Sequence, residues 1–194
     1  LSGCGVFDGS EIHEATLSLY FILLHGGQYQ AFAPDINQHH VINHLTRQEM
    51  KETRNVLVES ARIARGNIRP LSAFNSSDYD ALLLPGGFGA AKNLSDWAFK
   101  GPGAKINPDV EKAVREMARN GKPVGALCIS PVILARVLGD VEITIGDESS
   151  TIKAIESLGA RHKKTNHGQV VVDKKNKLVT TPCYMLDSDI LQVS

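Results

Sequence analysis

The chain has 194 residues, 42% hydrophobic and 22% charged, with 21 basic and 21 acidic side chains and a formal net charge of zero. This composition suits one soluble globular domain able to bury a sizeable core. The balanced charge, with no basic stripe, excludes nucleic acid as the expected partner; no apolar run approaches the ~20 residues of a membrane span; and Cys4, Cys128 and Cys183 are too few and too scattered for a disulfide framework or a structural zinc site. A reducing compartment fits that cysteine usage.

Leu1-Ser2-Gly3 reads as the tail of a first strand, followed by a glycine-rich loop, SGCGVFDGSE. EIHEATLSLYFILL, residues 11–24, reads as a helix closed by Gly26-Gly27. Asp8 and Glu11 have the spacing of a capping box at its start. YQAFAPD is a second strand, residues 36–54 a long connection without a clean period, and NVLVESARIARG a helix ended by Gly66. YDALLLPGG is a buried strand running into a glycine turn, and PDVEKAVREMARNG is an amphipathic helix with Pro108 near its start. KPVGALC is another buried strand, followed by a helix over 132–138. VEITIG reads as a short strand, TIKAIESLGA as a helix and QVVVDKKNKLVTTP as a hairpin. Alternating strands and helices predict an α/β fold, doubly wound, with a mainly parallel sheet between helical layers and ligands at the carboxyl ends of the strands. We read 1–194 as one domain whose N-terminal strand and C-terminal helix are incomplete.

Cys128 stands where a buried strand meets a helix. That is the topology of a nucleophile elbow, in which a tight turn lifts the nucleophile above the sheet. Ser130 is placed to cap the helix and Pro131 to occupy its first turn, so the helix dipole would favour the thiolate. Topology alone leaves two readings: a nucleophile, or a small buried hydrophobe. Cys4 and Cys183 are at no such corner and read as packing. Glu14, on an apolar-looking helix face, is either a site carboxyl or a solvated one; its neighbour His13 points to another face. Neither glycine loop completes a nucleotide fingerprint: Asp8 and Lys92 stand where the third glycine belongs. The alternative is that Gly86 and Gly87 bring backbone amides to a developing oxyanion, with a plain tight turn as the bland reading. His40 and His44 have helical metal-ligand spacing but no third ligand, so no metal and no cofactor are expected.

Several segments in order, LSGCGVFDGSEIHEA, FAPD, VINH, TRNVLVESARIARG, LPGGFGAAKNLS, GKPVGALCISP and KLVTTPCYM, resemble one group. It is the ElbB type (enhancing lycopene biosynthesis) within the PfpI and parkinsonism-associated deglycase superfamily, of class I glutamine amidotransferase-like fold. The resemblance implies a catalytic Cys128 hydrogen-bonded by a helix glutamate, which is Glu14 with Glu11 as the lesser choice. It implies an oxyanion pocket from Gly86, Gly87 and Ile129, auxiliary roles for Asp147 and Lys92, and a family-specific insertion over 36–70. It also implies a cofactor-independent glyoxalase acting on a small dicarbonyl, a homodimer, and a cytoplasmic place in a bacterium or a mitochondrial one in a eukaryote. The chain departs from the superfamily in having no histidine between Cys128 and His162, where Asp147 is the substitute. No late His-x-Glu supports a glutaminase. The alternatives are a redox-sensing or scaffold protein using the same cysteine, or an accessory protein of isoprenoid metabolism.

Overall fold

The computed structural model describes residues 1–193. In chain order the elements are α1 (Ile12–Leu24), β1 (Ala31–Ala33), α2 (Val56–Ile63), β2 (Ile68–Pro70), β3 (Leu82–Leu84), α3 (Phe88–Lys92), α4 (Trp97–Lys100) and α5 (Pro108–Arg119). They continue as β4 (Val124–Leu127), α6 (Pro131–Leu138), β5 (Glu142–Ile143), α7 (Ser149–Glu156), β6 (Arg161–His162), β7 (Val171–Asp173), β8 (Leu178–Thr181) and α8 (Ile190–Val193). The principal sheet runs β3-β4-β8-β7, with β3, β4 and β8 parallel and β7 antiparallel to β8. Two parallel pairs, β1-β2 and β5-β6, flank it. Helix–strand alternation along the chain therefore yields the parallel α/β architecture that the sequence predicts.

Local chemistry sets the element boundaries. Asn107 caps α5 by accepting from Asp109 N and Val110 N, and Pro108 fills the first turn, where its missing N–H costs nothing. Val110, Ala113, Val114 and Met117 then bury one face at helical spacing. Each large apolar side chain buried this way contributes about 1.5–3 kcal/mol. Strand β4 alternates: Val124 and Ala126 are fully buried in the core with Ile133, Leu134 and Leu178, while Gly125 and Leu127 face the side of α1. The hairpin from β7 to β8 turns at Lys177, which has a positive φ of 55°.

Three local expectations change. Leu1–Gly3 forms no strand; the first loop pairs only through an isolated Cys4–Ser10 bridge. Asp8 does not cap α1. Glu11 is itself the cap, taking the Glu14 N–H at 2.7 Å, while Asp8 accepts from Ile42 N at 2.7 Å and ties the 36–54 connection to the glycine loop. Within 36–70, α2 and β2 complete a crossover that lays β2 parallel to β1, a strand not read from the sequence. A cavity of about 840 Å³ is lined by Leu19, Phe32, Phe74 and Leu82 among others.

Candidate active site

Three loops meet at the carboxyl end of the principal sheet. The first glycine loop is stitched to the second: Glu11 N donates to Gly86 O at 2.9 Å, Phe88 N to Val6 O at 2.7 Å and Gly89 N to Gly9 O at 2.8 Å. The third, between β4 and α6, carries Cys128 at φ 59°. A β-carbon in that region is strained, and the surrounding structure must hold it there. Two bonds do so: Cys128 N donates to Thr181 O at 3.0 Å, and the Ser130 hydroxyl donates to Pro85 O at 2.6 Å. Ser130 therefore latches the elbow to the glycine turn instead of capping α6, which has no side-chain cap.

Glu14 is 1% exposed and faces the cysteine across the Gly86 backbone. Its Oε2 accepts from Gly86 N at 2.9 Å, its Oε1 from Tyr184 N at 3.4 Å, and the Cys128 thiol also donates to it. Burial, reinforced by the Glu11 charge, pushes the Glu14 carboxyl up to about 7, against the pull of those donors. Burial also raises the Cys128 thiol well above its ordinary value, the Glu14 charge adds to this, and the backbone N–H groups of Gly87 and Ile129 pull it back. The isolated thiolate expected from the helix dipole is thus replaced by a buried thiol–carboxyl pair.

Glycine is required at both positions of the turn. A β-carbon at Gly86 would sit 2.3 Å from Cys128 Cβ and 2.5 Å from Glu14 Oε2; at Gly87, where φ is 93°, it would sit 2.3 Å from Glu11 N. Gly86 departs from its expected role: its N–H is committed to Glu14, leaving Gly87 and Ile129 as the amides facing the sulfur. Glu11 stays at the start of α1 as its cap. Lys92 donates to Phe7 O at 2.9 Å and braces the first glycine loop. Asp147 is exposed, and among the described residues no hydrogen bond or ion pair joins it to Cys128 or Glu14. The structure therefore brings together Cys128, Glu14, Gly86, Gly87 and Ile129, and leaves Asp147 and Lys92 outside.

Two participants escaped the sequence reading. The turn after β8 carries Cys183, 5% exposed, whose sulfur lies against the Cys128 backbone N–H, and Tyr184, whose N–H reaches Glu14. The Tyr184 hydroxyl and His13 Nδ1 are 2.8 Å apart on the exposed side of α1, away from the buried Glu14. A usable signal was present: β8 ends beside β4, so whatever follows Thr181 borders the elbow. His40 packs on His39 and Phe99 while His44 accepts from Phe7 N, and among the described residues no group of three or more His, Cys, Asp or Glu could hold a metal ion.

The DJ-1/PfpI family model matches residues 48–184. The human glutamine amidotransferase-like class 1 domain-containing protein 3, mitochondrial, is 48% identical over 198 residues, covering 97% of this chain and 74% of its own. The rat ES1 protein homolog, mitochondrial, is 45% identical over 200 residues, with 98% and 75% covered. A crystal structure of an isoprenoid biosynthesis protein with amidotransferase-like domain, from Ehrlichia chaffeensis, superposes with a TM-score of 0.92 at 37% identity, covering 100% of this chain and 90% of that one. No helix among the described residues is long and apolar enough to cross a membrane.

Proposed function

The chain belongs to the DJ-1/PfpI family, and from that membership we propose that it is a cofactor-independent glyoxalase of the ElbB type, converting glyoxal or methylglyoxal to glycolate or lactate. The observation that carries the reading is the buried Cys128–Glu14 pair, with a carboxyl held near neutrality against a thiol. Such a pair can move one proton repeatedly at pH 7. The Cys128 proton passes to Glu14 as the sulfur attacks the aldehyde carbon, and the new oxyanion forms against the Gly87 and Ile129 amides and is protonated to a hemithioacetal. Glu14 then removes the proton from that carbon and returns it to the neighbouring one through an enediol. This leaves a thioester on Cys128, and water cleaves it to release the hydroxy acid and restore the thiol. General acid–base help of this kind is worth ~100 to 10,000-fold.

An amide substrate needs an acid to protonate its departing amine, and the described hydrogen bonds place no imidazole on the sulfur. Dicarbonyl isomerisation expels no amine, so a carboxyl suffices. By likeness to the human and rat proteins, whose names are mitochondrial, we place the chain in the mitochondrion, and from the family resemblance we expect a homodimer. Light scattering should then give twice the 21.0 kDa mass. The test of the activity is glycolate release from glyoxal without added thiol or metal. Wild type should turn over, and Glu14→Gln should lose at least about 100-fold with its fold intact. Undiminished turnover by the variant would refute the assignment of Glu14.

A further inference from the structure

Strands β4 and β8 are hydrogen-bonded neighbours with Leu127 opposite Thr181, and the Cys128 N–H continues the ladder to Thr181 O at 3.0 Å. The next positions are Cys128 and Pro182, and Cys183 lies one residue further. The turn it opens, Cys183–Met185, folds back over the elbow far enough for Tyr184 N to reach Glu14 Oε1 at 3.4 Å. That is the same carboxylate to which the Cys128 thiol donates. Neighbouring strands lie about 4.8 Å apart, and a disulfide spans Cα separations up to about 7 Å. The backbone singles out the same two residues. Among the described residues five non-glycine residues have positive φ; Arg47, Arg65 and Lys177 are exposed, whereas Cys128 at 59° and Cys183 at 43° are buried.

From this placement we infer that Cys128 and Cys183 form a dithiol centre, which a hydroperoxide converts to an intramolecular disulfide. This goes beyond the glyoxalase reading and does not depend on it. Glu14 takes the Cys128 proton as the sulfur attacks the outer peroxide oxygen; the O–O bond breaks, and the alcohol leaves with that proton. Cys128 becomes a sulfenic acid, oxidised by two electrons. The Cys183 sulfur then attacks it: the S–S bond forms, the S–O bond breaks, and hydroxide leaves as water with the Cys183 proton. In sum, two thiols and a hydroperoxide give a disulfide, an alcohol and water. The bond masks the reactive sulfur and keeps it from irreversible sulfinic acid, and a small dithiol reverses it. The Cys183 charge adds to the rise of the Cys128 thiol, the Cys183 sulfur lies against the Cys128 backbone N–H, and each thiol is raised in pKa first by burial, so a proton acceptor at the corner is needed for the first step.

The test treats the reduced chain with hydrogen peroxide, alkylates it under denaturing conditions and maps the peptides without reduction. Cys4, in the first glycine loop near Glu59 and Arg62, is the internal control. The expected product is a monomeric chain with the Cys128 and Cys183 peptides joined and lighter by two hydrogens, Cys4 alkylated, and the link lost on adding dithiothreitol. In Cys183→Ser, Cys128 should pass instead to sulfinic acid. Recovery of Cys128 as sulfinic acid in wild type with Cys183 still alkylatable overturns the inference. So does a bond from Cys128 to Cys4 or between chains, the absence of oxidation at Cys128, or equal sulfinic acid in wild type and Cys183→Ser.

Discussion

At the residue scale the site rests on one almost fully buried carboxyl. The Glu14 carboxyl moves from 4.5 to about 7, chiefly through burial. A raised folded-state value means that the folded chain binds this proton more tightly than the unfolded chain. The associated stability is therefore complete below pH 4.5 and is lost as the pH rises through about 7. The difference is on the order of 3 kcal/mol. Urea unfolding of wild type and Glu14→Gln at pH 4.5 and pH 8 should show the variant gaining relative stability by about that amount at the higher pH. A constant difference would contradict the burial account. Gly86 gives a second expectation. Its absent β-carbon lets Glu14 and Cys128 meet across its backbone. Gly86→Ala should therefore lose glyoxal turnover by at least about 100-fold, since that contact carries the proton transfer. Turnover near wild type in a steady-state assay would show that the pair does not work through that contact.

At the element scale, helix starts and stops do the local work. Asn107 satisfies two N–H groups at the start of α5, at 3.0 and 3.4 Å. Asn107→Ala should cost about 1 kcal/mol, read as a shift in the urea midpoint at constant slope. No shift would mean that the buried face of α5 alone fixes that end. These signals are also why much of the fold is legible in sequence. Period and punctuation locate α1, α2, α5, α6, α7 and the β7–β8 hairpin, and the buried strands are continuous apolar runs. What is not legible depends on distant partners. β2 is three residues long and exists because β1 lies alongside it. Glu11 replaces Asp8 as the cap of α1 because Asp8 is drawn to Ile42 in the 36–54 connection. Ser130 looks like a cap until the Pro85 carbonyl is brought to its hydroxyl.

At the scale of the whole molecule, the fold brings together what the chain keeps far apart. Glu14 comes from α1, Gly86 and Gly87 from the turn after β3, Cys128 and Ile129 from the elbow, and Cys183 and Tyr184 from the turn after β8. The corner itself is readable as a strand-to-helix turn carrying a cysteine, but topology leaves a nucleophile and a buried hydrophobe both open, and the family resemblance is what points to the nucleophile. The commitment of the Gly86 amide to Glu14 and the approach of the Cys183 turn are not readable, since both follow from strand order. Family membership fixes the architecture but not the reaction, so the reaction must be measured. The most direct measurement gives glyoxal and glutamine, side by side and without added thiol, to wild type and Cys128→Ser. The account predicts glycolate from glyoxal with wild type, almost none with the variant, whose hydroxyl lacks a thiol's acidity and nucleophilicity, and no ammonia from glutamine with either. Ammonia release by wild type, or glyoxal conversion by Cys128→Ser at the wild-type rate, would contradict it.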